Sequence, residues 1–234
     1  MNSKYTYLLV NSLSLFFPLV FSFLPQNKFY TRWRYLWPAI VIPAVFFIAW
    51  DIWFTEMGVW GFNEKYILGV FFFNLPVEET LFFICIPYAC AFTYHSINIL
   101  SGKDRVTHRA SQIITDILCI FLIVTAIINL DKWYTASAFM VCAILLLLHR
   151  WVWKTSYLGR FYFAFVFILV PFFIVNGILT GTGIPEEVVW YNPNEFMGFR
   201  MGSIPFEDTF YGMALLLFNI TIYEVCLPKK TKEK

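Results

Sequence analysis

Charge is scarce in this chain of 234 residues: only 14% are Asp, Glu, Lys or Arg, against about 25% in soluble domains. That deficit argues against a water-soluble enzyme, and 59% hydrophobic side chains rule out a disordered chain. A net charge of +2 leaves no basic excess for nucleic acid. Five cysteines (Cys85, Cys90, Cys119, Cys142 and Cys226) are odd in number and lack Cys-x-x-Cys spacing. They exclude a secreted disulfide scaffold and read as small buried apolar residues. His95, His108 and His149 lie far apart and make no zinc pattern. Also missing are a Gly-x-Gly-x-x-Gly fingerprint, a P-loop, a nucleophile–base triad and a paired Asp-rich magnesium motif. Gly177, Gly181 and Gly183 are wrongly spaced for a dinucleotide. No cofactor and no metal are expected.

What the chain has instead is long apolar runs. They read as helices at roughly 5–24, 35–54, 66–98, 112–130, 133–149, 159–180 and 196–227, clustering near the ~20 residues that span hydrocarbon. Only helices or closed barrels satisfy the backbone in lipid, and barrel-type alternation is missing. The first run reaches spanning length with no small-residue cleavage pattern after it, so it is expected to be a span rather than a removed signal. The pattern predicts an all-α integral membrane protein with seven transmembrane helices.

Loop charges set its orientation. Lys28, Arg32 and Arg34 follow the first run, Lys103, Arg105 and Arg109 the third, and Arg150, Lys154 and Arg160 the fifth. With Lys229, Lys230, Lys232 and Lys234 in the tail, 13 of the 17 basic residues fall on one side. The other side holds Lys4, Lys65, Lys132 and Arg200 beside Glu56, Glu64, Asp131, Glu186, Glu187 and Glu195. The positive-inside rule predicts a multi-pass protein of the cell (inner) membrane, with its N-terminus outside and its C-terminus cytoplasmic.

The chain also repeats itself. Gly69…Pro76-Val77-Glu78-Glu79-Thr80-Leu81-Phe82 recurs as Gly198…Pro205-Phe206-Glu207-Asp208-Thr209-Phe210-Tyr211, always 129 residues on. Upstream, Asp51-Ile52-Trp53-Phe54-Thr55 parallels Asn176-Gly177-Ile178-Leu179-Thr180, with four extra residues in the second loop. The division expected is a first three-helix repeat (1–99), a connecting loop and extra helix (100–132), and a second repeat with the basic tail (133–234). Three spans alone would invert the second copy. A fourth restores its direction, predicting parallel repeats about an axis along the membrane normal. The acid pairs then lie at similar depth and face one another across a central cavity.

Glu78 is twelve residues after Tyr66, and Glu207 eleven after Phe196. Continuous helices would put them about 17–18 Å from the outer interface, near the bilayer midplane. The preceding prolines equally allow a break, with 66–75 and 196–204 as separate segments and the acids, shallower, in a first turn. The sequence leaves both geometries open. A carboxyl in hydrocarbon belongs in a bundle interior, paired or protonated; bridging helices is its plainer role. Consecutive acids diverge by about 100°, so one of each pair is expected to face the cavity while its neighbour supports it. Around them lie Phe71, Phe72, Phe73, Phe82, Phe83, Phe206, Phe210 and Tyr211. Many are ordinary packing or lipid-facing rings, yet aromatic faces stabilise cations without attacking them. A proton donor in such a lining suits proton-initiated cyclisation of a polyene.

These residues resemble the membrane-integral lycopene cyclase family, found as paired small bacterial subunits or as a fused chain related to the fungal cyclase domain. The likeness is carried by Pro76-x-Glu78-Glu79 with Phe82, Pro205-x-Glu207-Asp208 with Tyr211, and Asp51. It includes Asn176-Gly177-x-Leu179-Thr180 and Tyr191-Asn192 before Gly198-x-Arg200, and extends over nearly the whole chain, the extra middle helix included. It implies a lycopene beta-cyclase, a redox-neutral intramolecular lyase or isomerase of carotenoid biosynthesis. Such an enzyme turns the ψ-end groups of lycopene into β-rings, giving β-carotene via γ-carotene. On that footing Glu78, Glu79, Glu207, Asp208 and Asp51 are the catalytic candidates. One protonated carboxyl donates to C2 of the terminal C1=C2 bond, C5=C6 attacks the C1 cation, and a carboxylate takes the C6 proton. Asp51 and Asn176 would orient the acids or relay protons to them. Arg200 would neutralise one carboxyl of the second repeat, or snorkel to the interface. Phe82, Tyr211, Tyr191 and Asn192 would complete the substrate site, while Trp60 and Trp190 anchor at the interface or cap the cavity. The expected partners are lycopene or a related acyclic carotenoid and membrane lipid, with room for other carotenoid enzymes and no nucleic acid.

Other classes compete. A proton-coupled transporter also places acids in repeated halves, but it needs an aqueous path, and Ser, Asn and Gln are thin near these acids. A carotenoid hydratase shares the cation but admits water, so its product carries a hydroxyl. A retinal photoreceptor would need a lysine in the seventh run, and none lies between Lys154 and Lys229.

Overall fold

The computed structural model describes residues 4–228; the tail lysines Lys229, Lys230, Lys232 and Lys234 lie outside them. Seven α-helices dominate: α1 (Thr6–Phe21), α2 (Trp33–Glu56), α3 (Val77–Ser101), α4 (His108–Ile128), α5 (Trp133–Leu147), α6 (Leu158–Leu179) and α7 (Glu207–Cys226). Among the described residues six helical segments are long and apolar enough to cross a membrane, α5 doing so together with the π-turn Leu148–Val152 that continues it. The chain is a multi-pass membrane protein. Large apolar side chains such as Leu100, Ile128 and Val225 stand exposed along the outer faces, as lipid contact allows and water would not.

The first of the seven expected spans is shorter than the others. α1 has 16 residues, about 24 Å, short of the ~30 Å hydrocarbon core. The helical ladder stops at Ser22, whose hydroxyl and amide both turn back to the carbonyl of Pro18, at 2.7 and 3.0 Å, and Pro25 follows. Two further boundaries move. The runs at 66–98 and 196–227 are not continuous helices: α3 begins at Val77 and α7 at Glu207. Pro76 and Pro205 lack an N–H for an interior position, and the chain ahead of each doubles back as a hairpin. Glu78, Glu79, Glu207 and Asp208 therefore sit in first helical turns, where an acid suits the positive end of the helix dipole. They stand at one end of the bundle and not at its midplane.

The two hairpins match in register. β2 (Phe71–Phe72) pairs with β3 (Leu75–Pro76), and β5 (Arg200–Met201) with β6 (Ile204–Pro205), every residue 129 positions from its counterpart. Gly69 and Gly198 open them in the same left-handed conformation (φ 81° and 82°), which a side chain would resist. Between them comes a third pairing, β1 (Trp60–Phe62) against β4 (Val189–Tyr191), which ties the loop after α2 to the loop after α6. Asn63 N–H donating to the Val188 carbonyl (2.8 Å) and Asn192 N–H to that of Val59 (2.9 Å) extend it at both ends. The result is a small roof over the bundle.

Beneath the roof the helices interleave. α1 packs on α3 and α5 on α7, but α2 lies against α7 and α6 against α3, so each second helix embraces the third helix of the other half. α4 covers α5 and α6 from outside. The core runs through Phe47, Phe54, Phe83, Phe139, Leu146 and Leu217, all essentially inaccessible. Thr107 caps α4 by accepting the Ala110 N–H (3.2 Å), and Gly102 ends α3 in the left-handed conformation.

Candidate active site

Enclosed by α1, α3, α6 and α7 beneath the roof is a cavity of about 520 Å³, apolar over most of its wall. The exception is its roof end, where Asp51 of α2, Glu79 of α3 and Asp208 of α7 all reach the surface of the chamber. All three side chains are buried. Burying a carboxyl is costly unless it is hydrogen-bonded; tyrosines supply the bonds to Glu79 and Asp208, while Asp51 Oδ2 is buried without a partner. The Tyr7 hydroxyl donates to Glu79 Oε2 at 2.6 Å. Tyr134 donates to Asp208 Oδ1 at 2.5 Å and Tyr191 to Asp208 Oδ2 at 3.0 Å. Tyr134 and Tyr191 stack, with centroids 5.8 Å apart and planes 21° from parallel, so the two phenols approach one carboxyl as a pair. Burial of its hydroxyl, with the charge of Asp208 beside it, pushes the Tyr191 phenol well above its usual pKa and keeps it a donor.

The second acid of each pair faces away from the chamber. Glu78 Oε1 accepts the backbone N–H of Leu68 at 2.7 Å; Glu207 Oε1 accepts that of Met197 at 2.8 Å and the Thr135 hydroxyl at 2.6 Å. Leu68 and Met197 are again 129 apart, each ahead of its hairpin. These two glutamates hold the hairpins down. Asn11 adds a bond to the Glu78 carbonyl at 2.7 Å. Beside the acids, Trp60, Phe82 and Tyr211 supply ring surface to the chamber, and Tyr211 is held against Phe47 and Trp50 with centroids 5.1 and 5.2 Å away.

The remaining candidates divide. Asn176 lines the cavity, its amide N–H₂ donating back to the Phe172 carbonyl at 3.3 Å. Asn192 does not: its side chain ties loops together, donating to the Gly58 carbonyl (3.3 Å) and accepting from Asn194 N–H (3.1 Å). Arg200 forms no contact ion pair among the described residues, but its charge acts on the Asp208 carboxyl from beyond contact distance. Its guanidinium instead donates to the Ser203 carbonyl within its own hairpin (2.5 Å) and lies over the Phe196 ring, 4.9 Å from the centroid. It also stands 5.8 Å from the centroid of the Tyr191 ring, whose hydroxyl bonds Asp208. Trp190 covers Gly61 on the roof, while Trp60 is buried beneath.

Tyr7, Asn11, Tyr134 and Thr135 were not singled out by the motif reading, which began at Asp51. One signal was there: Tyr7 and Tyr134 are 127 residues apart, close to the repeat offset, and open the first helix of each half.

A family model described as lycopene cyclase matches the chain over residues 4–97 and 131–226, two stretches that leave out the whole of α4. No curated protein and no solved structure matches it.

Proposed function

The chain belongs to the lycopene cyclase family, whose activity is a cyclisation on a carotenoid, and from that premise we propose that it is a lycopene beta-cyclase working by proton transfer between two carboxyls. The observation that carries this reading is that acids from both halves, Glu79 with Asp51 and Asp208, open onto the same largely apolar chamber. A carbocation needs an acid to create it, a base to discharge it and rings to shelter it, with water kept out.

The roles divide by hydrogen bonding. Asp208, each of whose oxygens takes a phenol proton, is built as the carboxylate; Glu79 takes one phenol proton and has Asp51 as an acidic neighbour. Glu79 donates its proton to C2 of the terminal C1=C2 bond. The C5=C6 π electrons close the C1–C6 bond, which leaves the cation at C5 facing Tyr211, Trp60 and Phe82. Asp208 removes the C6 proton and C5=C6 re-forms as the β-ring. One proton enters and one leaves, so the step is redox-neutral. Passing the proton back from Asp208 to Glu79 resets the site, with Asp51, the acidic neighbour of Glu79, as the relay.

Around this site we read two parallel repeats, 1–99 and 133–234, joined by 100–132, in the cell (inner) membrane with the N-terminus outside. The matching hairpins and the family match to two stretches support the division. Expression in a lycopene-accumulating bacterium, with chromatography of the pigments, tests the function. β-Carotene with transient γ-carotene is expected. Unchanged lycopene would refute the reading, and a hydroxylated acyclic product would make the protein a hydratase instead.

A further inference from the structure

The chamber has depth as well as an acidic end. On α3 its wall runs through Glu79, Phe82, Ile86, Ala89, Cys90 and Thr93, a single helical face. Fourteen residues separate Glu79 from Thr93, roughly 21 Å along the axis at 1.5 Å per residue. The cavity is thus a slot standing along the helices, with its carboxyls at one end only. An extended acyclic carotenoid is longer than this slot.

Three residues of the wall have a second property. Leu13 and Phe17 of α1 and Ile174 of α6 line the cavity and are also 54%, 57% and 60% exposed. A side chain that touches both the chamber and the surroundings marks a mouth. These three lie on the two helices that flank it, and α1 packs along α3 while barely meeting α6. The surroundings at this level are hydrocarbon, since α6 crosses the membrane and its neighbouring outward residues Val166 and Val170 are apolar and exposed.

We propose that an acyclic carotenoid is admitted sideways from the bilayer, through the gap between α1 and α6 rimmed by Leu13, Phe17 and Ile174, one end at a time. This rests on the cyclase reading for the identity of the ligand. One ψ-end lies against Glu79 and Asp208 while the rest of the chain follows the slot and leaves through the mouth into lipid. A second ring then requires the half-finished molecule to withdraw, reverse and return. The monocyclic product is therefore a free membrane species between the two closures.

The test uses the full-length protein with the mouth narrowed by L13W/I174W, beside V170W, which adds the same bulk to an exposed α6 position outside the cavity. Two readouts are taken. One is ring formation in lycopene-accumulating cells; the other is lycopene co-purifying with protein in an E79Q/D208N background, which needs no turnover. Both are expected to fall about tenfold or more in L13W/I174W, with the residual product shifted toward one ring, and to stay within about twofold in V170W. L13A/I174A, which widens the mouth, is expected to keep its loading. Undiminished loading in L13W/I174W, an equal loss in V170W, or lost loading in L13A/I174A would overturn the proposal. Loading that follows the mouth in a protein forming no rings would uphold it and refute the cyclase reading alone.

Discussion

Replacing each acid by its amide separates the two members of each pair more sharply than any other change. Glutamine at 79 keeps the shape and still accepts the Tyr7 hydroxyl, but it has no proton to transfer. General acid catalysis is worth about 10²–10⁴ in rate, so E79Q is expected to lower turnover by that factor, about 2.7–5.4 kcal/mol of barrier. D208N should behave alike as loss of the base. Glu78 differs, because what it does is accept the Leu68 N–H at 2.7 Å. An amide oxygen accepts that bond too. The exchange of a carboxyl for an amide acceptor costs about 1 kcal/mol of stability, and turnover should stay within about threefold. E78A removes the acceptor and strands a half-buried N–H, at about 1–3 kcal/mol. In the second half E207Q keeps an acceptor for Met197 N–H and the Thr135 hydroxyl. The assay is initial ring formation in isolated membranes, per mole of protein that survives detergent extraction as a single species. An E78Q protein that is well folded and as inactive as E79Q, or an E79Q protein that turns over normally, would refute this division of labour.

Further outcomes follow from the same geometry. Y134F removes the 2.5 Å bond to Asp208; a hydrogen bond to a charged group is worth about 1.5–3 kcal/mol, so ring formation should drop roughly 10- to 150-fold. The double variant Y134F/Y191F should lose more than either single one, in the same membrane assay. G61A would drive a Cβ into the Trp190 indole across the roof; thermal unfolding in detergent should show a loss of about 1–3 kcal/mol, as for overpacking elsewhere. K65A breaks an ion pair with Glu186 whose partners are both about half exposed or more, and no change in unfolding temperature or activity is expected.

Much of this architecture was legible because lipid permits so few solutions. Apolar runs placed α2, α4, α5 and α6 within a few residues, and the 129-residue offset applies even to the φ angles of Gly69 and Gly198. The errors have local causes. Hydropathy ran the spans back through 66–76 and 196–206, which fold back as hairpins; the prolines carried that information, and apolar neighbours masked it. It also overran the end of α1, because Phe23 and Leu24 prolong the apolar run where the ladder has already tightened to i→i−3 turns. For the site, helical rotation between adjacent acids made it foreseeable that only one of each pair would face inward, but not which. That choice is made by backbone amides at Leu68 and Met197. Arg200 acts on Asp208 without touching it: its guanidinium donates to the Ser203 carbonyl and lies over the Phe196 ring, contacts that its position in the sequence did not disclose.

The pairing of Trp60–Phe62 with Val189–Tyr191 has an outcome for how such a protein is born. Each strand is made by a different half, and Tyr191, a ligand of Asp208, arrives only with the second. Were the polypeptide severed near Gly102, each fragment would own a carboxyl and half a lid, inert in isolation. Sealing and assembly would be one event, and co-expression of the fragments would restore pigment in proportion to how often they meet.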